Sequence, residues 1–471
     1  MDTLRVQYFA TSPSYQGSLI RKSEARRERT ASQMEDMIES KVAVSSGASE
    51  ASSSLWDRLT SKLPLWSFAS TGASNFGIVL FGALASLISA RLLGPTGRGE
   101  LAAAFAWMFV LGAVSQVGIP QALSYTCSTT PSCSTACFRY ASRSLIWQGT
   151  LVLPVAIVYL LHGHLLTSGA RNCILLALPA VLLTTLSTYA HSVALGSKQY
   201  RLFNTIRLFA ALAYLAALIV AYLFGSVFSI SVIALFVLFQ GVVALYSVRA
   251  VCKGSEYEEV TLSHSQKKAF KEYSLKASLG NVSSLMNLRI DQFIISIFLA
   301  SSQLGFYAVA VGYAGIITPI AGAFANVSLS MVAAHGVESS HYSAKRTIGL
   351  SLLCTLVPGV LLWWGAPVAI PLLFGKSFVT AVPVARVLCL AGVPLGLGYV
   401  LSDIIRGLGK PEYVAGAEFL GAIVTVIGLF VFLPKAGILA AGWVSMASYT
   451  AVLTVSMSAY CMLRRSSVAH A

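Results

Sequence analysis

Arg289 and Asp291 are the only charged residues in the 23-residue stretch Ala277–Leu299, which is long enough to cross a bilayer as a helix. A guanidinium there can hold a phosphate or carboxylate through paired hydrogen bonds. A carboxylate there can carry a proton or a coupling cation. Each charge costs a few kcal/mol or more to insert, so ionisable groups at such depth usually face an interior path for a substrate, an ion or a proton. Residues two apart on a helix point roughly 200° away from each other, which argues against a direct pair. The competing reading is a structural ion pair to another helix that fixes register.

Other residues could serve the same path. Glu418 lies about two turns into an apolar stretch, where it could pair Arg289, take a proton or be solvated. Arg207 has Asn204 one turn earlier on the same face, so either could meet an anionic head group. Arg207 could equally snorkel to the surface. Asn75 and Asn281 hold matching places in two halves of the chain, where amides commonly bond helix to helix for about 0.6 kcal/mol. The run from Arg91 through Gly94, Pro95 and Gly97 to Arg98 reads as a tight turn, or as an outer gate that meets substrate charge. It has neither the spacing nor the terminal Lys-Ser/Thr of a phosphate loop. Cys127, Cys133 and Cys137 cluster, but their spacing matches no common zinc pattern. No catalytic triad, paired catalytic carboxylates or nucleotide fingerprint emerges, and neither an enzyme nor a cofactor is expected.

The elements that must position these residues are membrane helices. The 471 residues are 56% apolar and 11% charged, with a mean hydropathy of +0.73. That is a polytopic membrane protein. With no strand-like alternation, its spans must be helices, because lipid cannot satisfy open backbone groups. Twelve spans are expected at 66–93, 98–126, 139–161, 172–195, 202–224, 227–251, 273–300, 303–333, 347–374, 381–408, 411–433 and 436–463.

The net charge of +15 reports topology rather than a nucleic-acid partner. Residues 1–62 are nearly neutral, with nine Lys/Arg against eight Asp/Glu. Most later basic residues fall on one side of the twelve spans. Examples are Arg139, Arg143, Lys198, Arg201, Arg249, Lys253, Lys267, Lys268, Lys271, Lys276, Lys345, Arg346, Arg406 and Lys410. The other side holds Arg91, Arg98, Arg171, Lys376 and Lys435. The heavy side, with both termini, is expected in the cytoplasm. The expected organisation is a disordered tail at 1–62, a six-helix bundle at 63–251, a cytoplasmic linker at 252–272, a second bundle at 273–463 and a short tail at 464–471. The fold class is therefore all-α, with two six-helix bundles.

The halves look duplicated. A shift of 206 residues lays Leu93, Gly99, Ala102 and Ala104 on Leu299, Gly305, Ala308 and Ala310, and Asn75 on Asn281. Six spans per half would make the repeats parallel, as in transporters whose halves rock about a central site.

Three segments carry a resemblance. They are Ala90–Gly99 with Gly118–Leu123; Tyr273–Tyr313, including Arg289-Ile-Asp-Gln292; and Phe374–Phe378 through Gly407–Pro411 to Gly442. In order and spacing they resemble the multidrug/oligosaccharidyl-lipid/polysaccharide (MOP) superfamily, and within it the Wzx-like bacterial polysaccharide-biosynthesis flippases. The resemblance implies a MATE-like pair of bundles around a central cavity that opens alternately to each side of the inner membrane. The implied cargo is a polyprenyl-diphosphate-linked oligosaccharide, moved between leaflets of membrane lipid for lipopolysaccharide or exopolysaccharide assembly. Arg289, Arg207, Arg91 and Arg98 are then candidates to offset its charge, and Asp291 to carry a coupling H+ or Na+. A polysaccharide polymerase is a conceivable partner. The alternatives are a MATE-type drug/cation antiporter and a peptidoglycan-precursor (lipid II) flippase. An antiporter's cationic cargo favours an acidic cavity.

Overall fold

The computed structural model describes residues 65–161, 167–225, 228–253, 262–408 and 410–469. Of these, 65–69, 151–153, 155–157, 159–161, 279–288, 320, 323–347 and 465–469 are described by backbone alone. The chain divides into a first unit, Met1–Ala69, and a second, Ser70–Ala471. Only the helical backbone of 65–69 is described in the first, and all contacts below lie in the second.

Twelve α-helices are described: α1 Leu65–Gln116, α2 Ile119–Thr129, α3 Ser134–Ser142, α4 Ser144–Leu161, α5 Ser168–Gly196, α6 Tyr200–Leu223, α7 Ser229–Lys253, α8 His264–Phe298, α9 Ser301–Ala314, α10 Thr318–Phe374, α11 Val382–Gly407 and α12 Pro411–Ala469. No strand occurs among the described residues. The protein is an all-α multi-pass membrane protein. Seven described stretches are long and apolar enough to cross a bilayer. Two of them fold back on themselves. Gly94 breaks α1 at φ 63°, a left-handed conformation that glycine adopts without a Cβ clash. Beyond the break, Arg98 reaches Ser86, a contact that a straight helix would forbid at roughly 18 Å of rise. Gly437, at φ 58°, does the same for α12 and brings the Ser448 hydroxyl to the Gly421 carbonyl at 2.8 Å.

Three boundaries differ most from the sequence reading. The second span was expected to run to 126, but it ends at Val117–Gly118, where both φ angles are positive. The Ser274 hydroxyl donates to the freed Val117 carbonyl at 2.5 Å. α8 begins at His264, inside the expected linker, because Ser263 and Gln266 form a reciprocal capping box. Finally, α10 runs unbroken through 334–346, where a loop was expected. That stretch is polar but holds no proline and one glycine, Gly336, so polarity marked an exit from lipid and not a helix end.

The halves are joined unequally. On the charge-poor face, one hydrophobic core runs through residues of both, including Ala90, Leu101, Leu304, Tyr307 and Phe378. Among the described residues the basic face holds two separate cores, one around Leu123, Cys137, Tyr189 and Ile206 and one around Val400, Ile404 and Tyr460. The second limb of α1 lies antiparallel along α8 for its full length. Gly99 meets Ser301 and Gly305 just past the end of α8. Midway, the Trp107 indole N–H donates to the Ser296 hydroxyl at 3.0 Å. At the basic end, Gly118 packs on Ser274 and Ser278, and Tyr125 stacks on Tyr273 at 4.4 Å. Among the described residues, the matching seam between the first limb of α1 and α9–α10 is closed near the charge-poor face, at Gly305–Pro95 and Gly312–Ser86. Further along it, Gly82, Gly315 and Gly322 face open space.

Candidate functional site

Arg289 is solvent-exposed, yet its electrostatic neighbours come from both halves: Arg98 on α1, Tyr307 on α9 and Tyr449 on α12, besides Asp291 on its own helix. An exposed side chain so surrounded lines an internal, water-accessible space between the halves. No described carboxylate lies within ion-pair distance of it.

Asp291 points into the C-terminal bundle instead and is only 6% exposed. Its Oδ2 accepts from the Tyr307 hydroxyl at 2.6 Å, and its Oδ1 accepts from the Gln292 backbone N–H at 2.7 Å. The Tyr307 hydroxyl also meets Ser445 Oγ at 3.2 Å. With Tyr307 donating to Asp291, Ser445 is left to donate to Tyr307, so the three form a directed chain from α12 through α9 to α8. The expected divergence of Arg289 and Asp291 is realised: one side chain faces the interior space, the other the bundle wall.

Arg98 joins this site. Its Nη2 donates to Ser86 Oγ at 3.2 Å, while its Nε is buried with no hydrogen-bond partner. Two guanidinium groups thus lie within electrostatic reach of each other, and the carboxylate that acts on Arg289, Asp291, is held by a tyrosine. At the 206-residue shift, Arg289 corresponds to Ala83 and Asp291 to Ala85; Ala83 is likewise exposed and Ala85 likewise buried. The environments repeat while the charges do not.

The other sequence candidates lie elsewhere. Arg91 donates through Nε and Nη2 to the carbonyls of Leu373 and Leu372 at 2.7 and 2.5 Å, capping the end of α10 from the opposite half. Thr167 and Ser301 join hydroxyls at 2.6 Å on the same face. Asn204 is buried and donates to Thr71 Oγ1 at 3.0 Å, so it holds α6 on α1. Arg207 lies over the Phe203 ring, 4.8 Å from its centroid, near the basic end of α6. Glu418 meets Arg406 at 3.3 Å, and Arg406 also holds Asp403 at 2.8 Å, so Glu418 does not pair with Arg289. Asn75 is exposed on α1 and makes no hydrogen bond to a described group. The Asn281 side chain lies outside the described residues. The sequence reading missed Tyr307, Ser445 and Tyr449. Tyr307 lies only 16 positions after Asp291, across the α8–α9 turn that folds it back.

Known structures place this architecture. The lipid II flippase MurJ in an inward closed conformation matches with a TM-score of 0.66 at 13% identity, over 83% of this chain and 87% of that one. An inward-facing multidrug resistance MATE family transporter of the MOP superfamily also scores 0.66, at 14% identity, over 83% and 95%. A MOP superfamily transporter from Pyrococcus furiosus, described as having a binding pocket of reverse polarity, scores 0.54 at 16% identity, over 84% and 94%. These similarities define a MOP-transporter fold. No curated protein matches. The family model described as polysaccharide biosynthesis protein matches residues 88–383, and the chain belongs to that family.

Proposed function

We propose that this protein is a flippase that moves polyprenyl-diphosphate-linked oligosaccharide repeat units across the bacterial inner membrane by alternating access, for assembly of a surface polysaccharide. The observation that carries the reading is the pair Arg289 and Arg98 beside the interior space, with Asp291 turned away onto Tyr307. A sugar diphosphate cannot enter hydrocarbon unaided, and two guanidinium groups offset its charge. The same polarity disfavours a cationic drug as cargo. Family membership favours polysaccharide repeat units over lipid II, although the fold is as similar to the lipid II flippase as to the MATE transporter.

Among the described residues, the single core on the charge-poor face and the divided core on the basic face favour a form closed on the first side and, along the α1–α10 seam, open on the second. With the basic face in the cytoplasm, where both termini would also lie, this form would receive cargo from the inner leaflet. The bundles would be 63–251 and 273–463, moving about the linker. Asp291 is the candidate for a coupling H+ or Na+, and a polysaccharide polymerase is a candidate partner downstream. Deleting the gene and analysing lipid-linked intermediates tests the reading. Polyprenyl-linked repeat units accumulating on the inner leaflet are expected. Unchanged glycolipids with new drug sensitivity would favour the antiporter, and accumulation of lipid II would favour the peptidoglycan route.

A further inference from the structure

Between α6 and α7 lies an apolar groove of about 300 Å³, lined by none of the interior-site residues. Its walls include Phe209, Leu212, Ala216, Phe239, Val242 and Tyr246. The Phe209 and Tyr246 rings meet at 5.4 Å, which fixes the levels of the two helices against each other. Ala213 and Ala216 supply the hollow between the larger walls. Phe209, Val242 and Tyr246 are exposed and the walls are apolar, which suits a surface that faces lipid.

The charge at its mouth is one-sided. From Lys198 to Lys253 the sequence holds no Asp or Glu, and its five cations, Lys198, Arg201, Arg207, Arg249 and Lys253, all lie toward the basic face. Arg201 precedes Leu212 by three turns and so shares its stripe, roughly 12 Å beyond Phe209 along the axis. Lys253 follows Tyr246 by two turns on one stripe, roughly 10 Å along, with Arg249 between them. Arg201, Arg249 and Lys253 are exposed. Cations about 10 Å from an apolar groove repeat the spacing between a lipid phosphate and the upper part of its acyl chain.

We infer that this groove binds an anionic phospholipid of the basic-face leaflet, with one acyl chain between α6 and α7 and the phosphate held by Arg201 and Lys253. The site is independent of the cargo, since its walls lie on α6 and α7 and none of the interior residues contributes to it. Basic pockets between membrane helices select anionic head groups in this way.

The test is native mass spectrometry of the full-length protein in detergent, with phosphatidylglycerol or phosphatidylcholine added in equal amounts. The wild type should retain phosphatidylglycerol preferentially, by about fivefold for each engaged cation. R201Q/K253Q, which changes exposed residues only, should lose the preference while still binding some of either lipid. V242W and A216F fill the groove and should reduce retention of both lipids. Monodisperse elution and an unchanged melting curve qualify each variant. Equal retention of the two lipids by the wild type, or unchanged retention in both groove-filling variants, would overturn the proposal. So would displacement of phosphatidylglycerol by equimolar polyprenyl phosphate, which would assign the groove to the cargo's tail.

Discussion

The Tyr307 hydroxyl hydrogen-bonds Asp291 at 2.6 Å, and that contact separates the two charges of α8 into different environments. Asp291 is satisfied inside its own bundle. Arg289 faces the space between the bundles without a described counter-ion. Tyr307→Phe removes the donor from a buried carboxylate, a loss of about 1–3 kcal/mol. The purified variant should melt earlier, and adding Asp291→Asn, which removes the stranded charge, should restore part of the difference. A Tyr307→Phe protein with wild-type melting would contradict this account.

Arg289 is expected to be required for transport and dispensable for folding. Arg289→Gln should abolish surface glycan export at normal protein levels, as judged by glycan staining beside an immunoblot. Arg289→Lys keeps the charge but loses the bidentate fork, so partial export is expected. Full export by Arg289→Gln would remove the residue from the pathway.

Closure of the charge-poor face depends on the absence of two side chains. A Cβ on Gly99 would overlap the Ser301 carbonyl, and one on Gly305 would overlap the Pro95 carbonyl. Gly99→Ala or Gly305→Ala should therefore part the halves there. Leu304→Cys, in a background without native cysteines, reports this, because Leu304 is 0% exposed when the face is closed. Labelling by a membrane-impermeant maleimide should rise several-fold in either glycine variant, and an unchanged rate would refute the contact's role. Gly94→Ala is the control. Its Cβ meets nothing within 4 Å, so only backbone strain applies, roughly 1–3 kcal/mol for a positive-φ, extended-ψ conformation that is essentially glycine's own.

Arg91 ties the same face by capping α10. Arg91→Gln should raise Leu304→Cys labelling less than Gly99→Ala does, and should reduce export less than Arg289→Gln. If Arg91→Gln abolished export without altering labelling, a direct role with the cargo would be the better account.

The helices and the breaking residue Gly94 were legible in the sequence because membrane insertion forces apolar length, and glycine beside proline marks a reversal. The separation of Arg289 from Asp291 followed from helical angle alone. Tyr307 was not legible, since an apolar helix gives no sign of which hydroxyl its neighbour will use. The helical course of 334–346 was hidden by composition, because polar residues leave lipid equally well as helix or loop. Glu418 was misleading for a related reason: depth suggested a long-range partner, while Arg406, near the end of the preceding helix, was within reach.

Gly99 and Gly305 meet reciprocally. Each presses on the carbonyl at the position that, shifted by 206 residues, corresponds to the other's own contact, Ser301 against Pro95. Such a meeting has the form of an isologous contact about a local two-fold axis. A half-length ancestor pairing with its own copy would make it with a single glycine per chain. In that homodimer, every cation facing the axis would appear twice and repel its twin. Fusion of two such copies would remove the constraint. With Ala83 and Arg289 free to differ, the site would hold one arginine where symmetry would demand two or none.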